Sequence, residues 1–401
     1  MSARWRLVER TEPSLAAWVA VPLAAVALTL VAGSAMFTLL GKPPLAAFHA
    51  FFVEPLTTRY GIGEVLLKTG PLLLIAQGLA VGFRARVWNI GAEGQLLVGA
   101  IAAGALALHF ETSESAWLLP AMVLLGTLAG AAWAGIAAGL RTRFGASEIL
   151  VTFMLSSVAL QLLYYLVGGP LRDPMGMSFP QSALFGDAAL FEPLIGGTRV
   201  NTSLWLAIAA SLAAWVFARH SLAGYRLMVG GFAPAAARYA GFAEKRAIWI
   251  GLLAGGAAAG MAGVGEVAGP LGLLQRSLSP GYGFAAIIVA FLGGLHPLGI
   301  VFAAFFMALI YVGGDMSLVS VGIPNASTTI FQGMLLVFYL ACSLFATHRL
   351  RRVDALVAEA PTSGASTLAA RTPTIPVSSA APAPTVPGPA DEAPAPGGAL
   401  P

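Results

Sequence analysis

The sequence predicts an all-α membrane protein, folded as a polytopic bundle of about ten transmembrane helices. Its composition is the first observation: of the 401 residues, 58% are hydrophobic and only 10% are charged. Soluble domains carry about 25% charged residues, so this chain lacks the ionic groups to cover a water-facing surface. The second observation is that apolar runs of roughly 20 residues, the length that crosses a bilayer, recur from near the N-terminus to about residue 346.

Ten apolar segments are the candidate membrane helices. In chain order they are Leu15–Leu40, Glu64–Phe83, Gly91–Phe110, Trp117–Leu140, Glu148–Val167, Ser203–Ala218, Ala247–Ala268, Gly283–Leu295, Leu298–Val312 and Ser327–Ala346. The eighth and ninth are short and meet at GLHPLGI, where Pro297 and Gly299 favour a tight reversal over one continuous helix. Glycines spaced four residues apart in the fourth and seventh segments predict close helix packing. They are Gly126, Gly130, Gly251, Gly255, Gly256 and Gly260.

The basic residues orient this bundle, because cytoplasmic segments retain Lys and Arg. With the N-terminus inside, 15 of the 22 basic residues fall in inner segments. Residues 1–14, the loop 219–247 and the tail 347–401 are then cytoplasmic, and 15–346 form the transmembrane domain. The two five-helix halves would have opposite topology, a common plan in transporters. The tail is rich in Pro and Ala and is expected to be disordered from about residue 361.

Acidic side chains fall near the ends of the predicted spans. Glu266 stands at the outer end of the seventh, where either an exposed interfacial carboxylate or a polar gate fits, and Asp315 is expected to cap a helix end. Glu64, Glu93 and Glu148 also lie near span ends. An ion-coupled secondary transporter of a small polar solute is the main alternative function, and it would be expected to carry a carboxylate deep in a span.

Signatures of enzyme chemistry do not occur in the sequence. The phosphate-cradling pattern GxxxxGK[ST] is absent, and the five histidines show no metal-ligand spacing. A lone cysteine, Cys342, excludes an internal disulfide. The dispersed basic residues form no nucleic-acid patch. We therefore expect no catalytic residue, metal or cofactor in this chain.

The segment WNIGAEGQ places Asn89, Glu93 and Gln95 at the entrance to the third apolar run. Polar groups at membrane depth are costly and usually face a bundle interior or a wet path. One interpretation is that the chain bends into the membrane here and that these side chains satisfy freed backbone groups while lining a translocation pathway. The other is that Glu93 simply occupies the first turn of a helix, at the positive end of its dipole.

A second polar stripe lies in the fifth apolar run, where Ser157, Gln161 and Tyr164 share one helical face. Hydrogen bonding to a passing ring-bearing solute and adhesion between helices explain this stripe equally well.

The inner loop 219–247 carries five basic residues and a helix-prone piece, PAAARYA, opened by Pro234 and closed by Gly241. So short a helix is only marginally stable in water by itself. It is therefore expected to pack against a partner protein or, alternatively, to lie on the lipid surface.

Four ordered stretches together resemble the permease subunits of bacterial ABC importers of the ribose and nucleoside (simple-sugar) type, most closely the nucleoside branch. They are VWNIGAEGQLLVGA, SEILVTFMLSSVALQLLYYLVGGPLRDP, GYRLMVGGFAPAAARYAGF and GFAAIIVAFLGGLHPLGI. The resemblance runs from about residue 60 to 346 and implies a multi-pass protein of the bacterial inner membrane.

The resemblance also implies partners and roles. A separate cytoplasmic ATPase would use ATP and Mg²⁺, a second and non-identical permease would complete the path, and an extracytoplasmic binding protein would deliver a nucleoside or simple sugar. Residues expected to couple to the ATPase are Arg226, Ala236, Arg238, Tyr239 and Gly241. Those expected to line the pathway are Asn89, Glu93, Gln95, Ser157, Gln161 and Tyr164.

Overall fold

The computed structural model describes residues 4–9, 15–176 and 179–353, which fall into two compact units. The described residues of the smaller unit are 4–8 and 350–353, which form most of strands β1 (Arg4–Glu9) and β2 (His348–Val353); the two strands pair as a two-stranded sheet. The predicted disorder of the tail from residue 361 lies outside the described residues. The larger unit, from Glu9 to Arg349, is built from helices.

The helices are α1 (Leu15–Leu39), α2 (Pro44–Phe48), α3 (Glu54–Thr57), α4 (Arg59–Arg84), α5 (Ala92–His109), α6 (Leu118–Phe144), α7 (Glu148–Gly168), α8 (Ser203–His220), α9 (Leu222–Phe232), α10 (Pro234–Tyr239), α11 (Glu244–Glu266), α12 (Tyr282–Leu292), α13 (Pro297–Ser320) and α14 (Ala326–Thr347). Two π-helical turns join these elements: His49–Val53 links α2 to α3, and Val267–Leu271 extends α11.

The predicted all-α polytopic class is confirmed, and each of the ten predicted segments contains a helix. In the described part of the chain, nine helices are long and apolar enough to cross a membrane. The tenth, α12, has 11 residues. At 1.5 Å per residue it is about 16 Å long, roughly half the thickness of the hydrocarbon core.

The prediction for the ninth span was wrong at its C-terminal end. Leu298–Val312 was expected, but α13 continues to Ser320. Two glycines just beyond the predicted end serve packing: a Cβ on Gly313 would lie 2.5 Å from the Cα of Phe51, and one on Gly314 would lie 2.9 Å from Thr328 Cγ2. Asp315 is consequently inside α13 and does not cap its end.

Sequence reasoning also missed the helical stretch between α1 and α4. The π-helical turn there buries Phe51, whose ring centroid lies 5.8 Å from that of Phe37 in α1 and 5.9 Å from that of Phe331 in α14. Aromatic pairs at this spacing add attraction beyond the area that they bury. This cluster therefore ties the first and last long helices to the helical stretch between α1 and α4.

Helix α11 is the centre of the bundle and packs against α4, α5 and α6. The predicted close packing at glycines is confirmed. A Cβ on Gly256 would lie 2.6 Å from Ala134 Cβ in α6, and one on Gly130 would lie 2.7 Å from the Cα of Gly260. Such backbone-to-backbone approach is possible only for residues without side chains.

Candidate translocation site and coupling surface

The connection between α4 and α5, residues 85–91, runs back into the bundle along α11. A Cβ on Gly251 would lie 3.5 Å from Val87 Cβ, and one on Gly255 would lie 2.9 Å from Asn89 Nδ2. Val87 and Asn89 therefore lie beside positions that are one helical turn apart in α11. The connection is non-helical backbone inside a helical bundle, which membrane proteins tolerate only where its polar groups find partners.

Asn89 and Gln95 supply the first of these partners. Their buried side-chain amides bond reciprocally, with Asn89 Nδ2 donating to Gln95 Oε1 at 2.8 Å and Gln95 Nε2 donating to Asn89 Oδ1 at 3.0 Å. The same Oδ1 accepts the backbone N–H of Gly91 at 3.0 Å. The pair therefore closes the bend at the start of α5.

Helix α7 packs against this bend and accepts hydrogen bonds from it. The N–H of Ile90 donates to Thr152 Oγ1 at 3.2 Å, and that of Gly94 donates to Ser156 Oγ at 3.3 Å. A Cβ on Gly91 would lie 2.7 Å from Thr152 Cβ. The glycines of WNIGAEGQ are thus needed for contact with α7. Two α7 hydroxyl groups accept hydrogen bonds from N–H groups of the bend and of the first turn of α5, which lack intrahelical partners.

Glu93 joins the starts of α5 and α12. Its half-buried carboxylate accepts the N–H of Gly283 through Oε2 at 2.7 Å and is also hydrogen-bonded to the Ser279 side chain. Like α5, α12 follows a non-helical stretch, residues 272–281. Glu93 therefore lies at the junction of the two broken segments, and its partner is 190 residues away in the chain.

The α7 stripe faces away from this bundle. Ser157 and Gln161 are exposed on the outer side of α7, and Tyr164 is half-buried beneath the guanidinium of Arg276, which lies 5.4 Å from the ring centroid. The surrounding α7 face is apolar and exposed, with Phe153 among its residues. The structure therefore separates two groups of predicted pathway residues: Asn89, Glu93 and Gln95 lie within the bundle, and the α7 stripe lies on its surface.

A third polar group was not recognised in the sequence. Lys68 of α4 lies 3.4 Å from Asp315 of α13 and 5.8 Å from the ring centroid of Tyr311, which contacts Tyr282 edge-on. Of the two interpretations of Glu266, the exposed interfacial carboxylate is wrong, because Glu266 is buried beside this group, within hydrogen-bonding reach of Tyr282. The available signal was Lys68 itself, because an ionisable residue inside an apolar run marks a functional candidate.

Next to this group, Arg199 forms a bidentate ion pair with Glu64, with Nε–Oε1 and Nη2–Oε2 distances of 2.9 and 2.6 Å. Glu64 is buried, whereas the Arg199 side chain is 52% exposed. Hydrogen bonding to this carboxylate raises the pKa of the Arg199 guanidinium.

At the opposite ends of α4 and α11, the predicted loop 219–247 contains two helices. The first, α9, was not predicted, and its buried Leu227 and Gly231 pack it against the bundle. The second, α10, starts at Pro234 as expected, and Gly241 follows it with φ +75°. Ala236, Arg238 and Tyr239 are exposed on α10, and Arg226 lies over the ring of Phe242 at 5.5 Å.

Comparison with known proteins agrees with this architecture. Residues 61–340 match the family described as "Branched-chain amino acid transport system / permease component". The chain is 36% identical over 352 residues to a glucose ABC transporter permease of Haloferax volcanii, covering 85% of this chain and 91% of that protein. It is 28% identical to a nucleoside ABC transporter permease of Lactococcus lactis, covering 86% of this chain and 96% of the relative.

A guanosine ABC transporter permease of Bacillus subtilis is 29% identical, with 79% of this chain and 92% of that protein covered. No solved structure matches. The family match spans most of the chain, and the first relative is similar over nearly its whole length. The chain therefore belongs to the family of branched-chain amino acid transport system permease components.

Proposed function

We propose that this chain is the permease subunit of an ATP-binding-cassette importer and that its solute is a nucleoside or a simple sugar. The observation that carries the proposal is the combination of the family match with a short helix, α10, on which Ala236, Arg238 and Tyr239 are exposed. Glucose and nucleosides, the solutes for which these relatives are named, have one chemical feature in common: a sugar ring with several hydroxyl groups. We infer that the solute carries such a ring.

The orientation follows the charge bias, which places α9 and α10 in the cytoplasm of a bacterial cell and the chain in its inner membrane. The pairing of β1 with β2 supports N- and C-terminal segments on the same side. Both termini on one side require an even number of crossings. We therefore propose that α12 and its non-helical flanks together make the tenth crossing.

The path runs, in this proposal, between two permease subunits. Support comes from α7, whose exposed face carries Ser157 and Gln161, with Tyr164 and Arg276 at one end. Hydroxyl and amide groups on a helix surface suit a solute rich in hydroxyl groups, and Tyr164 could stack on its ring. Asn89, Glu93 and Gln95 hold the broken segments behind this wall. The second permease is a non-identical homologue in our proposal.

The energy source is a separate cytoplasmic ATPase that binds ATP and Mg²⁺, and an extracytoplasmic protein delivers the solute. Docking of the ATPase on α10 fits the exposure of Tyr239, 97% of whose surface is accessible. Arg238 and Arg226 add positive charge to this surface, Ala236 lets a partner approach closely, and Gly241 permits the turn into α11. The alternative, an ion-coupled secondary transporter, leaves this exposed surface without a role.

The test is uptake by the full complex in proteoliposomes, with ATP hydrolysis measured in parallel. We expect ATP-dependent uptake of a labelled nucleoside or sugar, and a loss of about tenfold or more in Arg238→Glu, because reversing an exposed charge on the proposed docking surface disrupts its electrostatic complementarity with a partner. The matched control is Arg143→Glu, which makes the same charge change at the end of α6, outside α10. Solute accumulation by the permease alone, driven by an ion gradient, would establish the alternative function.

A further inference from the structure

A cavity of about 760 Å³ lies between α9, α10, the first turn of α11 and the α4–α5 connection. Its walls carry five arginines and one carboxylate, Glu244. The arginines are Arg86, Arg141, Arg226, Arg238 and Arg246. Excess basic residues are expected at this end of the bundle, but their convergence around one cavity is not required by membrane orientation.

The positive charge of the cavity is largely uncompensated. In the ranges that the structure describes, the only one of these arginines within ion-pair distance of a carboxylate is Arg141, which pairs with Glu148 outside the cavity lining. Charges of one sign that share a partly enclosed space repel one another more strongly than they would in water. A bound anion would remove that repulsion.

Two of the five guanidinium groups are held in position by contacts within the protein. Arg226 lies 5.5 Å from the Phe242 ring centroid, in the geometry of a cation–π contact. Arg141 is fixed by its ion pair. Donors arranged in advance lose less conformational freedom when a ligand binds.

The cavity lies on the side of α10 that carries the buried Ala237, and it shares Arg226, Arg238 and Gly241 with the surface proposed to dock the ATPase. Buried Ala237 lines the cavity, whereas exposed Ala236 and Tyr239 do not. Apolar Val87 and Ile248 complete the wall. A partner that docks through Ala236 and Tyr239 would contact residues of α10 that do not line the cavity. The volume of the cavity is typical of small-molecule sites.

We propose that this cavity binds a phosphate group. Planar guanidinium groups match phosphate oxygens with two parallel hydrogen bonds, and the N-terminus of α11, whose first turn lines the cavity, adds favourable electrostatics. Two sources offer this chemistry: the head group of an acidic phospholipid in the adjacent leaflet, and a free phosphate or phosphate ester. In either case the ligand bridges α10 to α4 and α11, so its occupancy sets how firmly α10 is held.

The experiment uses the full-length chain in nanodiscs, without ATPase or solute, so its outcome is independent of the proposed transport function. One arm titrates inorganic phosphate in discs of phosphatidylcholine. The other compares these discs with discs that also contain phosphatidylglycerol. The readout is the shift in the thermal unfolding midpoint, because a ligand that binds the folded state stabilises it. The variant is Arg86→Gln/Arg246→Gln, and the control Arg143→Gln/Lys245→Gln removes the same charge outside the cavity.

We expect the wild type and the control to be stabilised in at least one arm, and the cavity variant to bind about tenfold more weakly or worse, as loss of charge-assisted hydrogen bonds predicts. A shift with phosphatidylglycerol alone identifies the lipid source, and a shift with phosphate alone identifies the free anion. No shift in the wild type in either arm, or equal shifts in the cavity variant and the control, would overturn the proposal. If the double variant does not fold, Arg86→Gln and Arg246→Gln are each compared with Arg143→Gln and Lys245→Gln by the same criteria.

Discussion

Replacing Gly130 with alanine should force α6 and α11 apart at their contact and destabilise the protein. A Cβ at Gly130 would lie 2.7 Å from the Cα of Gly260 and closer still to the carbonyl oxygen of Gly256. Carbon atoms in ordinary contact are about 3.5–4.0 Å apart, so the two helices must separate locally by about 1 Å. The obstructing atoms are backbone, so rotation of a side chain cannot relieve the clash.

The expected cost follows from this geometry. Overpacking of a well-packed interior typically costs about 1–3 kcal/mol. The same substitution at Gly139, also in α6, meets no atom within 4 Å. Because alanine favours a helix over glycine by about 1 kcal/mol, Gly139→Ala should be neutral or stabilising. The same glycine-to-alanine change in one helix is therefore expected to lower the stability of the protein at Gly130 and not at Gly139.

The assay is thermal unfolding of the purified chain in detergent, followed by the fluorescence of its 8 tryptophans. We expect the midpoint of Gly130→Ala to fall by roughly 2–8 °C. Adding Gly256→Ala to Gly130→Ala should then cost less than Gly256→Ala alone, because the helices are already separated. A Gly130→Ala midpoint equal to that of Gly139→Ala would refute the reasoning.

Three further outcomes are expected. Arg199→Gln should destabilise the chain more than Glu64→Gln, by about 1–3 kcal/mol, because it leaves a buried carboxylate unpaired, whereas a half-exposed guanidinium regains water; equal midpoints would contradict this. Asn89→Ala and Gln95→Ala should be non-additive by about 1 kcal/mol in a double-mutant cycle of thermal stability, since their amides bond each other. Gln161→Leu should change the ratio of nucleoside to sugar uptake at unchanged membrane insertion, and an unchanged ratio would remove Gln161 from the path.

Most of the helical architecture could be predicted from the sequence, because long apolar runs leave a membrane chain few alternatives. The start of α7 at Glu148 and of α8 at Ser203 were predicted to the residue. The elements that were missed, α2, α3 and α9, are too short to give an apolar run of spanning length. Their helical form depends on tertiary contacts, such as those of Phe51, that no local pattern reveals.

The contacts of the candidate site also fall into two groups: those between residues close in sequence, which could be predicted, and those between distant segments, which could not. The bond between Asn89 and Gln95 joins residues six positions apart, so their shared role in a bend could be inferred from WNIGAEGQ. The bond from Gly283 to Glu93 depends on a fold that brings distant segments together. The same is true of Lys68 and Asp315, which are far apart in the sequence and which the structure brings to 3.4 Å.

Helices α5 and α12 meet in the structure, and they hold corresponding positions in the two halves whose inverted topology stays a prediction. Each is the third predicted span of its half, each follows a non-helical stretch, and Glu93 at the start of α5 accepts the N–H of Gly283 at the start of α12. Both helices therefore begin inside the bundle, where the first backbone N–H groups of a helix lack intrahelical partners. A carboxylate is the side chain best suited to that position, because it accepts hydrogen bonds and complements the positive ends of two helix dipoles. The position of Glu93 in the bundle is therefore explained by the two helices that start there. The stretches that precede them, residues 85–91 and 272–281, lack the regular backbone hydrogen bonding of the surrounding helices.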